Sequence, residues 1–156
     1  MEEATPHIHL RRASPGDRNQ LLEWANDPEV RQASYQSEPI TLEEHQAWFA
    51  TRLEDFNTLI WLLEVGQSAC GMVRFERVEQ AATLSYLVAS SYRGQGLAAK
   101  MLRLALNELA DIWPGIPVIA WIRSNNVASS RSLEGAGFQR KPCDSDRLCF
   151  VHKIEP

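Results

Sequence analysis

Apolar and polar residues alternate over residues 7–12, which predicts a first strand. Ser14-Pro15-Gly16-Asp17 follows with a hydroxyl at the cap, proline at the first helical position and an acid at the third, the chemistry of a helix start. That helix is expected to run to about Asn26, where Asp27-Pro28 interrupts it, because proline disfavours helical geometry in the residue before it. Thr41-Leu42-Glu43-Glu44 is a T-x-x-E capping box and opens a second helix, which turns Trp48, Phe49 and Leu53 toward the core. Residues 58–65, 69–77 and 82–89 read as three strands joined by short turns at Gly66-Gln67 and Glu79-Gln80. An apolar-periodic helix then spans about 97–113. A strand at 117–122, a helix at 126–136 and a hairpin around Pro142 to Asp146 complete the order.

The composition narrows the class without choosing within it. A chain of 156 residues, 44% apolar and 23% charged, suits a single domain with a true core, taken here as residues 1–156 with its core at about 7–154. A net charge of −4 argues against nucleic acid or an anionic membrane surface as partner. The acidic amino terminus lacks the apolar stretch of a signal peptide and no run approaches a membrane span, so a cytoplasmic location is expected. Cys70 lies in an apolar strand and reads as core, while Cys143 and Cys149 form a C-x5-C pair without further ligands. No disulfide framework or metal site is expected.

The chemistry concentrates at Tyr92-Arg93-Gly94-Gln95-Gly96-Leu97-Ala98, between a strand and a helix. Glycines there allow a tight turn and close approach of a ligand to the main chain. The first amides of the helix have no intrahelical acceptor, and the helix dipole adds partial positive charge, so the segment predicts a pyrophosphate site to which Arg93 adds a cation. A Walker A loop is excluded, since no Gly-Lys-Ser/Thr follows. Gly94 to Ala99 fits the relaxed dinucleotide fingerprint G-x-G-x-x-A, but Ser90 to Arg93 separate it from its strand and no acid ends the next strand. An NADP site stays open as the poorer match.

Arg93 to Ala98 also reads R-x-x-G-x-A, which resembles the acyl-CoA pyrophosphate loop of the GNAT superfamily of N-acetyltransferases. Further on, Asn126 opens a helix and Gly137-Phe138 closes it. Asparagine is a good N-cap, and glycine suits the left-handed turn past a helix end. This too resembles the GNAT pattern, and the two motifs stand in the GNAT order. The resemblance implies an α+β fold with one mixed, mostly antiparallel sheet and helices on both faces, and acetyl-CoA as cosubstrate with no metal. It implies cosubstrate contacts from Leu87, Val88, Ala89, Arg93, Gly94, Gln95, Gly96, Leu97, Ala98, Asn126 and Ser129, with an amide near Leu87 as oxyanion donor.

Trp24-Ala25-Asn26-Asp27-Pro28-Glu29-Val30-Arg31, then Ser34, then the Thr41 to Phe49 helix, resemble one GNAT branch, the pseudaminic acid biosynthesis N-acetyltransferases. These acetylate an amino group on a UDP-linked deoxy sugar, and relatives with the pattern modify proteins or antibiotics. The resemblance implies a small-molecule amine acceptor, a UDP-amino sugar, met by Arg31, Tyr35, His45 and Trp48. Packing explains Trp24, Trp48 and Phe49 as well, and a structural histidine explains His45. Many family members place a carboxylate early in the strand, where Thr83 stands, and a tyrosine seven residues after the asparagine, where Leu133 stands. The acid and base are therefore open, with His45, Tyr86 and Ser132 as candidates and Glu76 conceivable through water. Tyr86 shares its strand face with Leu84 and Val88 and is expected to pack. Two classes follow: an acetyltransferase, or an acyl-CoA-binding module weakened in catalysis. Either a monomer or a homodimer would serve.

Overall fold

Seven strands form one sheet in the order β1-β2-β3-β4-β5-β7-β6. The computed structural model describes residues 7–33, 38–142 and 147–153. Tyr35, Ser34, Cys143 and the turn of the last hairpin lie outside the described residues. The strands are β1 (Ile8–Arg12), β2 (Thr58–Val65), β3 (Ser68–Val78), β4 (Ala81–Val88), β5 (Pro117–Arg123), β6 (Gln139–Lys141) and β7 (Arg147–Lys153). All neighbours run antiparallel except β4 and β5, which are parallel. The expected α+β architecture with one mixed sheet is the one found.

Alternation along the strands divides the side chains between two cores. On one face Trp61, Val73, Phe75, Leu84, Val118, Ala120 and Phe150 pack under α4 (Leu97–Ile112) and α5 (Val127–Gly135). On the other, Ile60 and Leu62 pack under α1 (Arg18–Ala25) and α3 (Leu42–Glu54), which contribute Leu21, Trp24 and Phe49. The Thr41 hydroxyl accepts the Glu44 amide at 3.2 Å, and the Asn126 side chain accepts the Ser129 amide at 3.1 Å, so both predicted caps form. Gly137 takes a φ of 96°, the left-handed turn expected past a helix end.

The start of the chain differs from expectation at two points. Pro15–Asp17 makes a single tight turn before α1, and the buried Asp17 carboxylate accepts both the Ser14 amide at 2.8 Å and a bidentate Arg11. More consequentially, Asp27-Pro28 does more than interrupt α1. It starts a separate short helix, α2 (Pro28–Ala33). Proline is well placed at a first helical position, where its missing N–H would have had no partner, and Asp27 Oδ1 accepts the Glu29 amide at 2.9 Å.

Candidate active site

The parallel pairing of β4 with β5 stops early. It joins Ala82 to Val118, Thr83 to Ile119 and Leu84 to Ala120, and then the strands part. The fork opens a cleft of about 630 Å3 lined by Ser85, Tyr86, Leu87 and Val88 of β4, Trp121 and Ile122 of β5, the glycine loop, the start of α5, and Glu29, Val30 and Ala33 of α2. The sequence predicts no element over residues 28–33, so α2 was missed as part of this wall; Pro28 behind an aspartate was the available signal.

At one end of the cleft, Gly94 and Gly96 have φ values of 77° and 75°. Gly96 is the N-cap of α4 and provides no side-chain hydrogen bond to the helix amides. The amides opening α4 are thus left without a side-chain partner beside the cleft, with the positive end of a helix dipole behind them. A Cβ at either glycine would meet no atom within 4 Å, so the requirement for glycine is set by backbone geometry and by access to the main chain.

Arg93 does something other than the expected direct charge. Its Nε donates to the Val88 carbonyl at 3.0 Å, Nη1 to Glu29 at 2.7 Å and Nη2 to Asp27 at 3.3 Å. The planar guanidinium thereby ties the glycine loop to α2 and has its charge matched by two carboxylates.

The strand register fixes which main-chain groups of β4 face the fork. The Ala89 amide donates to Cys70 on β3, and the register pairs Leu87 with Met72 and Val88 with Gly71. In an antiparallel ladder the hydrogen-bonding residues alternate, so Leu87 and Ala89 turn their N–H groups toward β3. Tyr86 and Val88 turn theirs toward the fork. Of the amides near Leu87, those of Tyr86 and Val88 are thus the ones that face the fork, where β5 has moved away. The Val88 carbonyl is already occupied by Arg93.

Across the cleft, Ser129 and Ser132 of α5 line the wall, with the Ser132 hydroxyl donating to the Ala128 carbonyl at 3.0 Å. Leu133 is fully buried in the core under α4 and faces away from this wall. Tyr86 packs against the core under α4 and α5, as expected, and makes a polar contact besides. Its side chain reaches α5, where its hydroxyl donates to the Ser129 carbonyl at 3.5 Å, and burial raises its phenol above the ordinary 10.

The expected acceptor residues are less united. Arg31 Nε donates to the Ala25 carbonyl at 2.6 Å at the end of α1, and Arg31 is not among the lining residues. Trp48 lies beneath the Arg74 guanidinium at 4.7 Å. Arg74 also faces Glu76 at 3.1 Å and donates to the cleft-lining Ser85 hydroxyl at 3.2 Å. Glu76 thus stands beside a cation, and this Arg74-Ser85 pair was invisible without the strand register. His45 is 4% exposed, packed against Trp48 and Phe49.

Burial first, then the charge of Arg74, lowers the His45 imidazole below the ordinary 6.5, and burial lowers His152 as well. Each ring binds its proton more weakly in the folded chain, so on acidification the unfolded chain takes up protons first. Their contribution to stability is fully present above about pH 6.5 and is lost as the pH falls below it. Thermal melts should therefore be level from about pH 8 to 7 and drop below about 6.5, with a shallower drop in His45→Gln. A pH-independent melting temperature across that window would contradict the assignment.

Residues 7–139 match the family model described as the acetyltransferase (GNAT) domain. The chain belongs to the GNAT acetyltransferase family. Its cosubstrate is accordingly acetyl-CoA, and the dinucleotide alternative for the glycine loop falls away. Solved structures agree in fold. An aminoglycoside acetyltransferase AAC(6')-Ib in complex with coenzyme A and kanamycin superposes with a TM-score of 0.81 at 17% identity, over 94% of this chain and 95% of that one. The spermidine N-acetyltransferase from Vibrio cholerae, with CoA and spermine, gives 0.81 at 16% identity, over 94% of each chain. RimL, a ribosomal L7/L12 alpha-N-protein acetyltransferase with coenzyme A, gives 0.82 at 17% identity, over 98% of this chain and 96% of that one. No curated protein matches the sequence.

The residues present suit that cosubstrate: glycine-loop amides for its pyrophosphate and the unpaired β4 edge for its amide-bearing arm. Among the described residues no cluster of His, Cys, Asp or Glu is placed to hold a metal, and no helix is long and apolar enough to cross a membrane.

Proposed function

We propose that this GNAT enzyme acetylates the primary amine of an amino sugar carried on a nucleotide diphosphate. The observation that carries the reading is the charge of the cleft. Among the described lining residues the sole carboxylate is Glu29, and it is held at 2.7 Å by Arg93. Kanamycin and spermine, the amines in two of the similar structures, are polycations and call for uncompensated acids in the wall that receives them. Here the wall carries Arg131, and Arg74 stands behind Ser85.

That arrangement suits an acceptor with hydroxyls and phosphates. The Ser85 oxygen is taken by Arg74, so its proton is available to a sugar oxygen. Arg131 replaces Arg31 as the cation offered to a diphosphate, because Arg131 lines the cleft whereas Arg31 does not and its Nε is engaged by the Ala25 carbonyl. The W-x-N-D-P-x-V-R pattern supports the same branch.

Acetyl-CoA supplies a thioester carbonyl for the amine to attack. The Tyr86 and Val88 amides stabilise negative charge on that oxygen, and the loop amides of residues 94–98 fix the pyrophosphate. Asn126 and Ser129 line the arm between them. The acceptor's proton leaves to water, since Glu29 is engaged by Arg93 and His45 is buried on the inner face of α3 against Phe49.

Assay with acetyl-CoA against a UDP-amino sugar, kanamycin, spermine and an amino-terminal peptide decides the acceptor. The expected result is turnover of the UDP-amino sugar with kcat/KM at least about 100-fold above the polycations, the scale on which mismatched charge discriminates. Activity on peptides or polycations with none on the amino sugar would defeat the acceptor assignment.

A further inference from the structure

Among the described residues, Tyr86 is the one phenol at the fork. Its main chain and side chain serve opposite walls: the N–H points along the sheet into the gap left by β5, and the hydroxyl crosses to α5. Tyr92 also lines the cleft, but it belongs to the turn just before Gly94 and so stands at the pyrophosphate end. The group that leaves during acetyl transfer is a thiolate, which must gain a proton or remain a poor leaving group. On α5 the wall offers Ser129 and Ser132, and Leu133 is sealed in the core.

We propose that Tyr86 is the proton donor to the departing CoA sulfur, with Ser132 beside it as the route by which the proton is restored. The proposal rests on the acetyl-transfer reading above and adds the identity of its acid. The Tyr86 hydroxyl is half-free: its contact to the Ser129 carbonyl, at 3.5 Å, is at the long limit for a hydrogen bond, so it turns to a better acceptor at little cost. Burial keeps the phenol protonated at neutral pH, and the neighbouring Ser129 and Ser132 oppose that shift only in part. The phenol therefore holds its proton until a strong base forms next to it.

In the step itself the amine nitrogen bonds to the carbonyl carbon and the carbon–sulfur bond breaks, its electron pair going to sulfur. The Tyr86 O–H proton passes to sulfur, giving the free thiol. The nitrogen loses one proton to water, and water returns one to the phenolate past the Ser132 hydroxyl. Protons and charge balance, and no further reactant is needed.

Tyr86→Phe keeps the ring and its packing and removes only the hydroxyl with its contacts to Ser129 and Ser132; circular dichroism and the melting temperature check that the fold is kept. Calorimetric titration with CoA and with desulfo-CoA, which lacks the thiol, separates contact with sulfur from general packing. At alkaline pH, where bound thiol ionises, Tyr86→Phe should weaken CoA by about tenfold and leave desulfo-CoA within about twofold, the signature of a lost hydrogen bond to a charged partner. With the best amine, kcat should fall at least about tenfold with the acetyl-CoA KM nearly constant, as expected for general acid catalysis. Equal weakening of both ligands, or weakening of neither, overturns the assignment while leaving the acetyl-transfer reading in place. A wild-type protein that binds neither CoA nor desulfo-CoA overturns both.

Discussion

Gly96→Glu is expected to weaken acetyl-CoA binding by about 100-fold or more, about 2.7 kcal/mol, without unfolding the protein. Two effects combine. Gly96 has a φ of 75°, and a residue with a Cβ there costs about 1–2 kcal/mol. The new carboxylate would also sit at the N-terminus of α4, where a pyrophosphate would otherwise meet the free amides. The helix tolerates the substitution because a negative charge complements its dipole, and a Cβ there has no neighbour within 4 Å, so the loss falls on the ligand. Gly96→Ala carries the strain without the charge and should lose much less. Equal affinities for the two variants, measured by calorimetry, would show that no anion binds at this loop.

Phe75→Ala should be the most destabilising of the single changes considered. Phe75 is fully buried on the α4 side of β3 and meets Trp61 edge-on at 6.0 Å between ring centres. Truncating a buried phenylalanine costs about 3–5 kcal/mol. For a chain of this size that corresponds to a fall in melting temperature of roughly 6–20 °C. Phe75 does not line the cleft, so acetyl-CoA affinity well below the transition should stay within about twofold of wild type. A melting temperature within a few degrees of wild type would mean that the two-layer core around β3 is wrongly described.

The parts of this site that could be read from the sequence are those specified locally. Two glycines before an apolar helix carry their own backbone requirement, and the positive φ values at Gly94 and Gly96 follow from it. Thr41 and Asn126 cap their helices through partners three residues away. The parts that could not be read depend on register or on distant partners. Whether Leu87 or Val88 faces the fork turns on which residue of β3 lies opposite, and a shift of one residue reverses the answer. Arg93 looks like a free cation until Asp27 and Glu29, far away in sequence, are brought beside it. Pro28 is ambiguous by nature, since the same residue ends one helix and begins another. His45 and Trp48 sit on the predicted helix, but its rotation on the sheet places His45 against Phe49 and Trp48 under Arg74.

The central claim is that the fork between β4 and β5, closed by the glycine loop, is built for acetyl-CoA. Side-by-side calorimetric titration of the wild-type protein with acetyl-CoA and with NADPH tests it most directly, because both ligands carry a pyrophosphate and only one has an arm for the unpaired edge of β4. Saturable one-to-one binding of acetyl-CoA, with no heat from NADPH above dilution, is the predicted result. Binding of NADPH with none of acetyl-CoA would contradict it.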